Sequence, residues 1–203
     1  MNIDYRVFPL FPSIVHRIEI NDFKKIKKQI VDYVYKEKRA NPKGIGETKS
    51  TLGGWQSESN YHNFENPIRS LIEEALLTGL TLYPNFNEKC QYKMSNMWMN
   101  VNQEGHGNLK HVHPGAHLAG VWWINIPKKS GELWFDSPHM YNNWTEIETY
   151  SEPFKNKLYA HHGYYFPPTE GHIMIFPASL THYVKRNKSK QDRISISFNL
   201  KLR

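Results

Sequence analysis

The chain has 203 residues, 39% hydrophobic, 14% aromatic and 22% charged, a length that favours one domain and a composition that allows a buried core of ordinary size. Its single cysteine, Cys90, excludes an internal disulfide framework and every Cys-rich zinc site, and reads as a small buried apolar residue in a reducing compartment. The net charge of +7 is concentrated in Lys24 to Lys28 and Lys185 to Arg193. No finger, helix-turn-helix or stacked-aromatic RNA motif accompanies it, so both runs read as solvated faces and nucleic-acid binding ranks below that reading.

The N-terminus, Met1 to Arg6, has no basic segment followed by an apolar run, and no stretch approaches the roughly 18 apolar residues of a membrane span. The expectation is a soluble, cytoplasmic protein. Asn143-Trp144-Thr145 and Asn187-Lys188-Ser189 match the glycosylation pattern, which without a secretory route is chance. In chain order, Phe8-Pro9-Leu10-Phe11-Pro12 is too proline-rich for a helix, and Ile14, His16, Ile18 and Ile20 follow a period of two, predicting a strand near 13–20. Asn21 or Asp22 can cap a helix carried by Phe23, Ile26, Ile30, Val31 and Val34, with lysines opposite and a stop before Pro42. Residues 40–60, with Gly44, Gly46, Gly53 and Gly54, read as a loop; Pro67 to Leu82 gives a second helix through Ile68, Leu71, Ile72, Ala75, Leu76 and Leu80.

From residue 90 the texture changes to short β-branched and aromatic runs broken by Gly, Pro, Asn and Asp: Gln91 to Val101, Leu118 to Asn125, Gly131 to Phe135, Gly171 to Phe176, His182 to Lys185 and Arg193 to Leu200. Such spacing without intervening helices predicts an antiparallel barrel or sandwich. The expected organisation is a single domain over 1–203, mainly helical over 1–87 and a β core over 88–203. The 35 residues from Pro138 to His172 are long for a plain connection and form a candidate lid or substrate loop.

Three of the 11 histidines stand out. His111 and His113 flank Val112; on a strand, residues two apart share a face with Cα atoms about 6.6 Å apart, so both imidazoles can grip one ion. His182, after the apolar run Ile173 to Pro177, can complete a facial set that leaves the remaining octahedral positions open. Arg193 opens the last strand with Ser195 on the same face, offering a guanidinium fork and a hydroxyl to a carboxylate. The competing reading is that each histidine is solvated and that Arg193 pairs with Asp192 or Asp136 at the surface. His161 and His162 stand in the long loop and can meet substrate there, although loop histidines are usually solvated.

Six stretches, Trp98 to Asn102, His111 to Gly115, Gly120 to Asn125, Gly131 to Pro138, Phe176 to Val184 and Arg193 to Asn199, resemble in order and spacing the 2-oxoglutarate/Fe(II) oxygenases common in phage and bacterial genomes, with a core similar to prolyl hydroxylases. The resemblance runs over about residues 95–200. It implies an α+β, mainly β protein: a double-stranded β-helix of jelly-roll or cupin type with the N-terminal helices packed on it, using Fe(II) and 2-oxoglutarate. By position, His111 matches the first metal histidine, His182 the distal one, and Arg193 with Ser195 the pair that binds the far carboxylate of 2-oxoglutarate. Trp123 stands where prolyl hydroxylases carry a tyrosine against the cosubstrate, and Asn102 joins the cosubstrate set.

The departure is His113, where the wider superfamily has Asp or Glu; three neutral imidazoles leave the ion's double charge uncompensated. His111, His113 and His182 are taken as catalytic metal ligands, with Asp136 as a reserve carboxylate. The implied activity is that of an Fe(II)- and 2-oxoglutarate-dependent dioxygenase hydroxylating a C–H bond of a peptidyl, amino-acid or other small-molecule substrate with molecular oxygen. The rivals are a non-catalytic metal-binding cupin-like recognition module and a nucleic-acid dealkylase. Neither substrate nor oligomeric state is written in the sequence.

Overall fold

The last strand shows why this sequence folds as it does. In Arg193-Ile194-Ser195-Ile196-Ser197-Phe198-Asn199-Leu200 every second side chain is apolar, and Ile194, Ile196, Phe198 and Leu200 are all fully buried. Burying each such side chain contributes about 1.5–3 kcal/mol, so the register is fixed by the core: a one-residue slip would turn the whole row to the other face. The computed structural model describes residues 6–46, 50–61, 67–81, 91–139 and 147–202.

The strands are β1 (His16–Glu19), β2 (Thr51–Leu52), β3 (Trp55–Gln56), β4 (Tyr92–Asn102), β5 (Gly107–His111), β6 (Leu118–Asn125), β7 (Leu133–Asp136), β8 (Gly163–Phe166), β9 (His172–Pro177), β10 (His182–Val184) and β11 (Arg193–Leu202). They form two antiparallel sheets, one of order β1-β9-β6-β11-β4-β3 and one of order β2-β5-β10-β7-β8. Helices α1 (Phe23–Ala40) and α2 (Pro67–Thr81) cover the first sheet, and a short helix α3 (Glu152–Leu158) precedes β8. This is the mainly β, jelly-roll architecture with N-terminal helices that the sequence predicts.

Two apolar cores result. On the helix side, Phe23, Ile30 and Val34 of α1 and Ile68 and Ile72 of α2 pack on Met97, Met99, Trp122, Ile173, Ile194 and Phe198 of the first sheet. Between the sheets, Trp123, Leu133, Phe135, Met174 and Phe176 form the second. Gly120 makes the first possible at close range: across the β6–β11 pair it faces Phe198, and an added Cβ would stand 2.3 Å from that ring.

Several expectations shift in detail. Asp22 precedes α1 without a side-chain capping bond; its carboxylate pairs with Lys25 instead. The stretch 40–60 contains β2 and β3, two-residue strands that pair with β5 and β4 and are too short for a periodicity to reveal. The long connection 138–172 carries α3 and β8, and β8 completes the second sheet against β7. Residues 140–146 of that connection and Cys90 lie outside the described residues. Asn187, in a match to the glycosylation pattern, is fully buried, and its amide nitrogen donates to the carbonyls of Asn102 and Gln191. Among the described residues no helix is long and apolar enough to cross a membrane.

Candidate metal and cosubstrate site

His111 ends β5 and His182 begins β10, and the two are direct cross-strand partners in the second sheet, their ring centroids 4.3 Å apart. His113 arrives differently from the sequence expectation. It lies two residues past the end of β5, in a turn fixed by its own N–H donating to the Ala178 carbonyl at 2.9 Å. The shared face of a strand is therefore not what joins His111 to His113; the turn folds the second ring back, to a centroid separation of 5.1 Å. One nitrogen from each of the three rings lies within 4.8 Å of the others.

Backbone carbonyls orient two of these rings. Nδ1–H of His111 donates to the Leu109 carbonyl at 2.7 Å and Nδ1–H of His182 to the Leu180 carbonyl at 2.8 Å. In a neutral ring this leaves the lone pair on Nε2, directed at the common centre. His182 is pushed down to about 3, first by burial, then by the neighbouring His111, with the Leu180 bond opposing and His113 adding a smaller push. Burial likewise lowers His111. Both shifts favour the neutral, ligating form of His111 and His182 at physiological pH.

The spacing of one pair matches that around a bound cation. Nε2 of His113 and Nε2 of His182 stand 3.2 Å apart. Two imidazoles bound side by side to one ion at about 2.1 Å and at right angles have donor atoms about 3.0 Å apart. Trp98 of β4 stacks on His113, centroids 5.8 Å apart and planes at 23°, while Phe135 and Phe176 flank His182. The reserve ligand Asp136 is not among the converging groups. It follows Phe135 along β7 and so points to the opposite face, where its carboxylate meets Lys110 at 2.6 Å.

Arg193 lies at the other end of the inter-sheet space and is 2% exposed. Its Nη1 donates to the carbonyls of Ser130 and Lys185, the latter at 3.0 Å, and burial draws its pKa down to about 10. It pairs with neither Asp192, which accepts from Tyr35, nor Asp136, and among the described residues no carboxylate lies within ion-pair distance of it. A buried cation with no anion costs several kcal/mol unless a counterion arrives. Lys185 is three residues along from His182, about 10 Å on a strand, a span suited to a short dicarboxylate.

Register groups the remaining predicted residues with Arg193. Asn102 is its partner on β4, and Asn100 and Trp123 flank Ser195. Asn102 carries a buried Oδ1 without a hydrogen-bond partner. The sequence reading missed the carbonyls of Leu109, Leu180, Ser130 and Lys185, which no residue type announces. It also missed Gly131, at φ +92° with room for a Cβ only 2.2 Å from the Lys185 carbonyl; its place beside Ser130 in a Lys-Lys-Ser-Gly turn was the available signal. His161 hydrogen-bonds Asn156 within the connection before β8 and does not join the site.

A jelly roll with three convergent imidazoles in one sheet and a buried guanidinium between the sheets has the donor set of a non-heme metal enzyme that binds a small carboxylate. The model of the family described as "Putative 2OG-Fe(II) oxygenase" matches residues 96–199, just over half the chain. The chain belongs to this family of Fe(II)- and 2-oxoglutarate-using oxygenases. Among solved structures it is similar to the α-ketoglutarate-dependent carbocyclase SnoK from nogalamycin biosynthesis (TM-score 0.63, 11% identity, 92% of this chain and 78% of that one). It is also similar to a prolyl hydroxylase from Trichoplax adhaerens in complex with a hypoxia inducible factor peptide (0.60, 11%, 92% and 82%). A third similar structure is HygX from Streptomyces hygroscopicus with nickel and 2-oxoglutarate bound (0.55, 9%, 93% and 82%). No curated protein matches in sequence. At these identities the likeness shows the fold alone.

Proposed function

We propose that this protein is a 2-oxoglutarate-dependent hydroxylase acting on a C–H bond of a peptidyl or other small-molecule substrate, with His111, His113 and His182 as its metal ligands. The single observation that carries the reading is the pairing of three clustered imidazoles with a buried, anion-free guanidinium in the same inter-sheet space. When bound, Fe(II) and 2-oxoglutarate supply oxidation of a C–H bond by molecular oxygen, driven by oxidative decarboxylation of the cosubstrate.

The residues of this chain supply the rest. Carbonyls of Leu109 and Leu180 hold the His111 and His182 rings in the ligating tautomer. Arg193, anchored through Nη1 by two carbonyls, keeps the rest of its fork for the distal carboxylate of 2-oxoglutarate, and the Ser195 hydroxyl beside it adds a donor. Trp123 forms the apolar wall next to Ser195, and Asn102 lies against Arg193 in register. Phe135, Phe176 and Trp98 keep bulk water from the imidazoles.

The test is anaerobic loading with Fe(II) and 2-oxoglutarate. A visible charge-transfer band, succinate on admitting oxygen, and a product one oxygen atom heavier than the substrate are expected. Absence of both band and succinate would overturn the assignment. Arg193→Ala should abolish 2-oxoglutarate affinity while leaving metal content nearly unchanged, whereas a metal-binding recognition module would show no 2-oxoglutarate affinity to lose.

A further inference from the structure

A second cleft, of about 400 Å³, opens on the helix side of the β3–β4 edge, away from the imidazoles, between α1 and the chain from Trp55 to Tyr61. Its walls are the rings of Tyr33, Trp55 and Tyr61 and the carboxylates of Glu37 and Glu58. Among the described residues no lysine or arginine lines it, although the chain carries a net charge of +7 and α1 itself is lysine-rich. Among the described residues neither carboxylate is in an ion pair. Glu37 accepts a hydrogen bond from Tyr61 Oη at 2.7 Å and Glu58 one from Asn60 Nδ2 at 3.2 Å.

The described lining gives the cleft a negative field. The Tyr61 phenol is held well above its ordinary range, first by burial, then by its bond to Glu37 and by the charges of Glu37 and Glu58; Tyr33 is raised by burial and by Glu37. Two of the polar groups that could blunt this field are already engaged. Trp55 Nε1 donates to the Asn41 carbonyl, and Ser57 Oγ is bound between Met99 N and the Glu58 carbonyl. What the described lining offers a ligand is aromatic surface and two carboxylates, with the amides of Asn41 and Asn60 as its neutral polar groups. Aromatic rings with carboxylates beside them attract alkylammonium groups, the rings through their quadrupole and the carboxylates through their charge.

We propose that this cleft is a binding site for an alkylammonium group, separate from the metal site. The ammonium can belong to a free small amine or to a lysine side chain of a polypeptide, since the recognising chemistry is the same.

The experiment uses the full-length chain, labelled with ¹⁵N, and follows the Trp55 indole N–H resonance. Tetramethylammonium chloride is titrated against sodium chloride at equal ionic strength. A saturable shift of Trp55 and of backbone amides within 55–61, at least tenfold weaker in a Glu37→Gln/Glu58→Gln double variant, is expected. A shift no larger than that given by sodium chloride overturns the proposal, and so does a shift of undiminished affinity in the folded double variant. Because Glu58 is exposed, Glu58→Gln alone provides a variant that keeps its fold: it should weaken binding at least threefold, and equal affinity also overturns the proposal. A blocked Gly-Lys-Gly peptide distinguishes the sources. Saturation below the tetramethylammonium range assigns the lysine of a polypeptide, and saturation above it assigns a free quaternary amine.

Discussion

The face that the first sheet turns toward the second is divided in two. On β6 and β9 it carries Ala119, Val121, Trp123, Met174 and Phe176, and on β4 and β11, in the same registered rows, it carries Asn96, Trp98, Asn100, Asn102, Arg193, Ser195, Ser197 and Asn199. The first half packs in the usual way for the inside of a barrel. The second half places amides, hydroxyls and a guanidinium where a sheet interior is normally apolar, and some of them stay unsatisfied: Oδ1 of Asn102 and of Asn199 are buried without partners. Since each buried, unpaired polar group costs about 1–3 kcal/mol, such a row is retained by a fold for what it binds. The apolar half keeps the barrel together, and the polar half is the one the proposed function assigns to the ligand.

Substitutions should separate the halves. Phe176→Ala removes a ring that is 2% exposed and touches Phe135 and His182, and should cost about 3–5 kcal/mol of stability in urea unfolding. Arg193→Ala should change stability of the ligand-free protein far less, because losing two carbonyl partners is offset by removing an uncompensated buried cation. It should instead erase the stabilisation that saturating 2-oxoglutarate with metal gives the wild type, about 2.7 kcal/mol at a hundredfold excess over Kd. A large stability loss in Arg193→Ala with ligand stabilisation intact would break the division.

The imidazoles sharpen it along the pH axis. His182 titrates near 6.5 when unfolded and is pushed down to about 3 when folded, so between those values the unfolded chain takes up a proton that the folded one refuses. The contribution of His182 to the stability of the metal-free protein is therefore fully present above pH 6.5 and is lost as pH drops toward 3, by up to about 1.4 kcal/mol for each unit. Unfolding midpoints measured from pH 7 to 4 check this, and His182→Gln should flatten the slope.

Most of this arrangement was legible in the sequence, for reasons that differ by residue. The β11 alternation reveals both its buried face and the exceptional Arg193 and Ser195, because a period of two is local information. The sequence offers His182 as a third ligand to His111 and His113, but not the pairing that delivers it, since contact across 71 positions is set by sheet topology and not by any local pattern. His113 was assigned to the right cluster by an incorrect route: its place depends on a turn held by Ala178, a contact no spacing rule contains. Asp136 was weighed because of its charge, and strand parity, which sends it outward beside Phe135, decides against it. The chain from 40 to 60 was read as loop because two-residue strands are recruited by their partners rather than by their own propensity.

Gly131 acts on the polar half through the backbone that holds Arg193. Its φ of +92° and the 2.2 Å approach of an added Cβ to the Lys185 carbonyl mean that Gly131→Ala must both strain the turn and displace one of the two acceptors that hold Arg193. A stability loss of about 1–3 kcal/mol is expected, with weaker 2-oxoglutarate binding at unchanged metal content. Stability loss alone, with affinity unchanged, would mean that the fork is placed by Ser130 without help from Lys185.

Ser195→Ala is the smallest change and the most specific. Ser195 is 8% exposed and sits between Asn100 and Trp123, so the alanine fits the same row without a void larger than one oxygen atom. Among the described residues its hydroxyl makes no hydrogen bond to another residue, so the proposed carboxylate contact can be tested without breaking one. One hydrogen bond to a charged acceptor contributes about 1.5–3 kcal/mol, equivalent to a roughly ten- to hundredfold loss of affinity, whereas folding stability should stay within about 0.5 kcal/mol of wild type. Isothermal titration with 2-oxoglutarate on the metal-loaded protein reads this directly. An unchanged affinity would remove Ser195 from the cosubstrate site and place the carboxylate on the Arg193 fork alone.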